Sequence, residues 1–158
     1  MNPYPRGARG WGLALVDLTW SLPNTVAGLF YLGALRLAGH RVDRIATVHS
    51  GQIHIAERFF EQWAMTIGPV VAGATPEIAR HEAVHVFQAR LLGPLYLPLV
   101  ALNYAVVSVA PVWLLYHDHD RWPINGFATY FAHGVYPHTF HEVWAFNRAS
   151  SSTRFPSD

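Results

Sequence analysis

The sequence lacks two of the common reactive residues. There is no cysteine among its 158 residues, which excludes a disulfide framework and any metal site built from thiolates. There is no lysine either, since all 11 basic residues are arginines, and the formal net charge is only +1. No basic stripe and no nucleic-acid-binding motif is visible. We therefore expect no nucleic-acid partner.

Charge of either sign is also scarce. Charged residues make up 13% of the chain and hydrophobic residues 51%, whereas a usual charged share is about 25%. Two long stretches, residues 18–35 and 91–116, contain no formally charged residue. A helix needs about 20 apolar residues to cross a bilayer, so both are near the spanning length. We expect membrane lipid as a partner and a membrane location.

Neither apolar stretch predicts one straight helix. Pro23 and Asn24 interrupt the first, which predicts a short helix over 12–21 and a longer one over 24–39. Three prolines and Asn103 interrupt the second, which predicts either a helical hairpin that enters and leaves one side of the membrane or a further crossing that involves residues 127–136. The expected elements are therefore membrane-associated helices or helical hairpins.

The region between the apolar stretches has a different pattern. Residues 45–49 and 52–55 flank Ser50-Gly51 and alternate around this turn, which predicts a small β-hairpin. Later, residues 139–147 predict a final helix, for which Thr139 is the candidate cap. Together these elements predict an α+β protein, mainly α, with a single membrane-associated domain over 1–148 and a tail over 149–158.

One motif predicts a metal-binding site. His81-Glu82-Ala83-Val84-His85 fits H-E-x-x-H, and on a helix the two histidines lie on one face where they can bind one metal ion. Thr75 and Pro76 predict the start of this helix, and Gly93 predicts its end. The residues around the motif are apolar nearly all round the helix, which predicts that it is buried in protein or lipid. Buried imidazoles and a carboxylate need a partner, and a divalent metal ion would be one.

A catalytic zinc ion usually has three protein ligands and one water molecule. The longer pattern with a third histidine and a glycine fails, because Gln88 and Leu91 occupy those positions. A glutamate on a later helix is the other common third ligand. Glu142 is the best candidate, as it is the only acidic residue in the apolar stretch 140–146. The alternatives are three nearby histidines, His133, His138 and His141.

These residues resemble the H-E-x-x-H zinc metallopeptidases that use a glutamate as third ligand, the gluzincin type. The run from His81 to Gln88, followed by Gly93-Pro94-Leu95-Tyr96-Leu97-Pro98, is similar to a group of small, uncharacterised bacterial membrane-associated proteins with an H-E-x-x-H-x-x-Q helix and a later glutamate helix. Glu142 matches that later helix. The resemblance implies a zinc-dependent peptidase, and a bacterial inner membrane as its location.

The expected mechanism assigns His81, His85 and Glu142 to the zinc ion and Glu82 to general-base catalysis on the attacking water. A peptide would be the substrate. His117, His119 and Tyr130 are candidates for stabilising the oxyanion. The alternative is a non-catalytic structural subunit of a larger membrane complex, in which other subunits cover the apolar surface and the metal site is vestigial or structural.

Overall fold

A computed structural model describes residues 1–57 and 63–149, so the predicted tail lies outside the described residues except for Ala149. The chain divides into two compact units, one over Met1–Tyr96 and a second that begins at Leu97. It is 61% helical and has one small four-stranded sheet. The predicted class, α+β and mainly α, is confirmed.

The first unit begins with two helices joined at a sharp bend. Helix α1 (Ala8–Leu18) and helix α2 (Leu22–Leu37) meet at 87°. The bend lies where Pro23 and Asn24 predicted a break, and Pro23 occupies the first turn of α2, where its missing N–H costs nothing. The break is confirmed, although both helices begin a few residues earlier than predicted.

A four-stranded sheet follows, with strand order β1-β2-β4-β3. Strands β1 (Val42–Asp43) and β2 (Ile53–Ile55) pair antiparallel, β2 and β4 (Val70–Ala72) pair parallel, and β4 pairs antiparallel with β3 (Met65–Ile67). Strand β3 is thus at one end of the strand order. Its position matters below, because it carries a residue that contacts the motif helix.

The predicted hairpin over residues 45–55 is wrong in its first arm. Helix α3 (Arg44–Thr47) occupies that arm, and the Asp43 carboxylate caps it by accepting from the Ala46 N–H at 2.9 Å. Only β2 remains of the predicted pair. The hairpin of this sheet is instead formed by β3 and β4, whose two-residue turn begins at Gly68 with φ of 54°.

The motif lies at the start of a long helical run. Helix α4 (Ala79–Leu92), a 3₁₀ turn (Gly93–Leu95) and helix α5 (Tyr96–Val109) follow one another without a loop. The helix was predicted to start at Thr75, but this residue begins a turn that precedes α4. The Thr75 carbonyl accepts from the Ile78 and Ala79 N–H groups in that turn. Gly93 ends α4 as predicted. Its φ is 55°, and the Trp20 ring packs so close that a Cβ would not fit.

This run of 31 residues, Ala79–Val109, is long and apolar enough to cross a membrane. It replaces the predicted hairpin within 91–116, since α5 continues through Pro98 and Asn103. The bent pair of α1 and α2 also passes the same test when its helices are taken together. By length and composition, the described residues thus offer one such helix, or two if the bent pair is one span.

Side chains from the bend between α1 and α2 bind the backbone of the helical run where it is broken. Asn24 donates to the carbonyls of Ala89 and Gly93 at 3.0 and 2.7 Å, and Ser21 also donates to Ala89. Pro94 lacks an N–H that could bind a carbonyl of α4. The Ala89 carbonyl also accepts from the Gly93 N–H, so the side-chain bonds add to the main-chain bonds and hold the bend against the run at this point.

A buried ion pair fixes α4 against α1. Asp17 is 1% exposed, and its carboxylate accepts from Arg90 at 2.7 and 2.8 Å in a bidentate arrangement. The Tyr4 hydroxyl donates to the same carboxylate, and burial together with the Asp17 charge raises the pKa of Tyr4 to about 12. Asp17, the only acidic residue of α1, is therefore part of a paired network.

The second unit contains the rest of α5 and several short helices. They are a 3₁₀ turn (Val112–Leu115), helix α6 (Phe127–Thr129), a π-helix (Tyr130–Val135), helix α7 (Tyr136–His138) and helix α8 (Phe140–Ala149). Helix α8 is the predicted final helix. Its cap is Asn103, whose side-chain oxygen accepts from the Phe140 N–H at 2.8 Å, whereas the predicted cap Thr139 donates to the Tyr136 carbonyl.

Candidate metal centre

The two motif histidines face each other on α4. His81 and His85 are 4% and 6% exposed, and their Nε2 atoms are 3.0 Å apart. The separation follows from their spacing of four residues on a helix. Two imidazole nitrogens that converge in a buried place are suited to bind one cation.

Gln88 orients the second of these rings. Its side-chain oxygen lies 3.0 Å from His85 Nδ1, and the Tyr96 hydroxyl donates to the same oxygen at 3.4 Å. Because an amide oxygen only accepts, Nδ1 of His85 carries the proton. The Nε2 lone pair therefore points toward His81. Gln88 is 0% exposed, so no water competes for this bond.

Glu82 is also buried, at 5% exposure. Its Oε2 atom accepts a hydrogen bond of 2.6 Å from the Thr66 hydroxyl of β3. The Tyr31 hydroxyl of α2 is buried and has no hydrogen-bond partner among the described residues, and it lies within electrostatic range of Glu82. Sequence reasoning missed Thr66 and Tyr31, since neither belongs to a motif.

Glu142 lies in the first turn of α8 in the second unit and is 5% exposed. His141 Nε2 is 3.5 Å from Glu142 Oε1, and the His141 ring packs edge-on against Tyr104 at 5.2 Å. The Asn103 cap fixes the start of the same helix. The carboxylate is therefore buried in the first turn of a capped helix.

His81, His85 and Glu142 form a buried group that could bind a metal ion. Each offers one ligand atom, and these atoms lie within 4.8 Å of one another. In the part of the chain that the structure describes, this is the one such group of three or more. The chemistry of the donors fits a divalent ion, with two imidazole nitrogens and one carboxylate oxygen.

The other predicted residues are not part of this group. The alternative ligands His133 and His138 place their Nδ1 atoms against the carbonyls of Pro123 and Gly134. The oxyanion candidates also contact backbone carbonyls within the second unit: His117 contacts Trp122 at 2.7 Å, His119 contacts Leu114 at 3.3 Å, and the Tyr130 hydroxyl donates to Ser108 at 2.6 Å. Their assignment as oxyanion stabilisers stays a prediction.

Comparison with known proteins finds no match. No family model, no curated protein and no solved structure matches the chain.

The role of Gln88 leads to a prediction. Replacing Gln88 by leucine removes the acceptor that fixes the His85 ring while conserving most of the volume. Loss of such a supporting partner typically lowers metal affinity 10- to 100-fold, and we expect zinc affinity to fall within that range in a competition titration. Gln52→Leu makes the same chemical change away from the group and should bind zinc like the wild type. Equal affinity in the Gln88 and Gln52 variants would contradict the role of Gln88.

Proposed function

We propose that the protein is a membrane-associated, zinc-dependent peptidase. His81, His85 and Glu142 bind the zinc ion, and Glu82 is the general base. The observation that carries the proposal is the buried group of three candidate ligands. A further buried carboxylate, that of Glu82, lies on α4 between the two histidine ligands. A general base must lie next to the site where a water molecule is activated, and the residue after the first ligand meets that requirement.

The ligand set supports a catalytic role for the metal. Zinc prefers nitrogen, sulfur and carboxylate oxygen ligands, and structural zinc sites are closed by four protein ligands. Among the described residues the group has three, which leaves a position for water. When bound, zinc would supply a positive charge that acidifies that water and polarises a substrate carbonyl.

Three residues of the chain, Glu82, Thr66 and Tyr31, have the other proposed roles in the reaction. Glu82 accepts a proton from the attacking water and donates it to the leaving amine. The hydrogen bond from the Thr66 hydroxyl fixes the orientation of this carboxylate. The Tyr31 hydroxyl is available to donate to a bound substrate, because it has no other partner in the described part of the chain.

The position of β3 supports a peptide as substrate. This strand is at the end of the sheet and carries Thr66, which contacts Glu82. An extended peptide can add to the end of a sheet through main-chain hydrogen bonds. A peptide bound along β3 would pass the general base, which links the sheet to the proposed chemistry.

The exposed side of the helical run supports a membrane location. Only 11% of an apolar segment of 18 residues within this run is buried, whereas a core helix of a soluble protein would be mostly buried. Large apolar residues recur every three or four positions on the exposed side: Phe87, Leu91, Leu95, Leu99, Leu102, Val106 and Val109. They form one apolar surface about 33 Å long against which lipid can pack. Because one ion binds His81, His85 and Glu142 in this proposal, the surface lies against lipid without a full crossing that would separate these ligands.

Removal of the metal tests the proposal. The full chain, purified in detergent, should contain about one zinc ion and hydrolyse peptides from a random fluorogenic library. A chelator should abolish hydrolysis because no residue can replace the charge of the metal, and one equivalent of zinc should restore it. Metal analysis and the fluorescence assay are made on the same samples.

A different outcome would favour a structural subunit. If one zinc ion binds but no peptide is cleaved, and if the same large partners are always purified with the chain, the metal has a structural role. Absence of stoichiometric zinc would contradict the peptidase and any structural role of a metal, and would leave a subunit whose metal site is vestigial.

A further inference from the structure

A basic cavity lies beside the C-terminal end of α2 in the first unit. Its volume is about 740 Å³, and it is lined by Met1, Arg36, Arg41, Val42, Arg44 and Val48. None of the three arginines forms an ion pair within the described residues. Half of the lining residues thus carry positive charge that no carboxylate of the described chain neutralises by direct contact.

Two carboxylates near these arginines accept hydrogen bonds from the backbone, and Arg41 also attracts one of them, that of Glu57. Glu57 accepts from the Arg41 N–H at 3.1 Å, and Asp43 accepts from the Ala46 N–H at 2.9 Å. Arg36 donates to the His40 carbonyl at 3.1 Å, which uses one of its five N–H groups. The guanidinium groups therefore keep most of their donors for a ligand, and their planar arrangement of donors suits phosphate oxygens.

Two exposed apolar side chains flank these arginines in the sequence. Leu37 follows Arg36 and is 92% exposed, and Ile45 follows Arg44 and is 93% exposed. These are the most exposed large hydrophobic residues that the structure describes. Cations next to exposed apolar residues are typical of a surface that lies at the membrane interface, where charged groups meet phosphates and apolar ones enter the acyl layer.

The position on α2 fits the same interface. Val26, Leu29 and Phe30 are exposed apolar residues earlier on this helix, and Arg36 is the first charged residue after them. Basic residues at the end of an apolar helix lie at the level of the lipid headgroups. The cavity is thus at the place where a phosphate group of a lipid would be found.

We propose that this cavity binds the headgroup of an anionic phospholipid. The guanidinium groups of Arg36, Arg41 and Arg44 contact the phosphate, while Leu37 and Ile45 contact the acyl chains. The site is separate from the metal group and does not depend on peptidase activity. It would fix how deeply, and in which orientation, the first unit is held in the membrane.

Lipid titration tests the proposal. The delipidated full chain in detergent is titrated with phosphatidylglycerol or phosphatidylcholine, and bound lipid is counted by native mass spectrometry. Each basic residue near an anionic surface contributes about fivefold to binding. We expect tighter binding of phosphatidylglycerol, and a loss of roughly 100-fold in the triple variant Arg36→Gln, Arg41→Gln, Arg44→Gln.

The control variant is Arg6→Gln, Arg9→Gln, Arg121→Gln, which removes the same charge from exposed arginines outside the cavity. It should bind phosphatidylglycerol within about threefold of the wild type. Equal loss in both triple variants would overturn the proposal, because net charge alone would then explain binding. Inorganic phosphate that binds as tightly as phosphatidylglycerol would also overturn it, since the ligand would then be a soluble anion. If the triple variant does not fold, the single variants Arg41→Gln and Arg44→Gln should each lose about fivefold.

Discussion

Replacing Glu82 by glutamine is expected to leave zinc bound and to lower the rate of peptide hydrolysis roughly 10³-fold. Glutamine has nearly the same shape and can still accept from Thr66, whose hydroxyl donates to Glu82 at 2.6 Å. It cannot accept a proton from water near neutral pH, so the attacking water loses its base. Metal content and initial rates, measured on the same preparation, separate the two effects.

Glu77→Gln is the matched control. Glu77 is an exposed glutamate just before α4, so the same substitution there should change neither zinc content nor rate. Hydrolysis by Glu82→Gln at the wild-type rate would contradict the proposed mechanism. Loss of zinc from Glu82→Gln would instead assign Glu82 to the metal ligands and reopen the choice of base.

Local patterns predicted the helices that position the site. The spacing of His81 and His85 requires a helix, and Gly93 ends α4 because its positive φ and its contact with Trp20 exclude a side chain. The bend between α1 and α2 was also predicted, from Pro23. What local patterns could not predict is that α5 follows α4 without reversal, because the side chains that bind the carbonyls at the break, those of Asn24 and Ser21, come from a distant part of the sequence.

The sheet was harder to predict because its strands have only two or three residues each. Alternation over so few positions is weak, and the stretch before Ser50 forms helix α3 because Asp43 caps it. Strand β2 pairs with β4, some 17 residues away, in a parallel arrangement. A parallel partner requires a connection that no turn signal marks.

In the candidate site, too, some residues could be predicted from the sequence and others could not. His81, Glu82, His85 and Glu142 were found from residue type and spacing, because metal ligands are chemically restricted. Thr66 and Asn103 were not, since a hydroxyl or amide that orients a carboxylate or caps a helix has no fixed spacing from its target. Such supporting residues depend on tertiary contacts, and only the folded chain identifies them.

Replacing Glu142 by alanine is expected to lower zinc affinity by more than the 10- to 100-fold typical of a lost supporting residue, because a ligand itself is removed. His85→Ala should have a similar effect. His141 lies 3.5 Å from Glu142 and outside the three-ligand group, so His141→Ala should reduce affinity only as a supporting residue does. Competition titration with a chromophoric chelator ranks the three variants against the wild type.

His133→Ala is the control for these histidine and glutamate changes, because its Nδ1 contacts the Pro123 carbonyl and the residue is outside the metal group. It should bind zinc like the wild type, and circular dichroism should verify that every variant keeps its helices. If Glu142→Ala keeps wild-type affinity while His141→Ala loses it, the third ligand is the histidine. Because that change would replace a carboxylate by a neutral imidazole, the bound metal would then carry a full double charge and acidify its water more strongly.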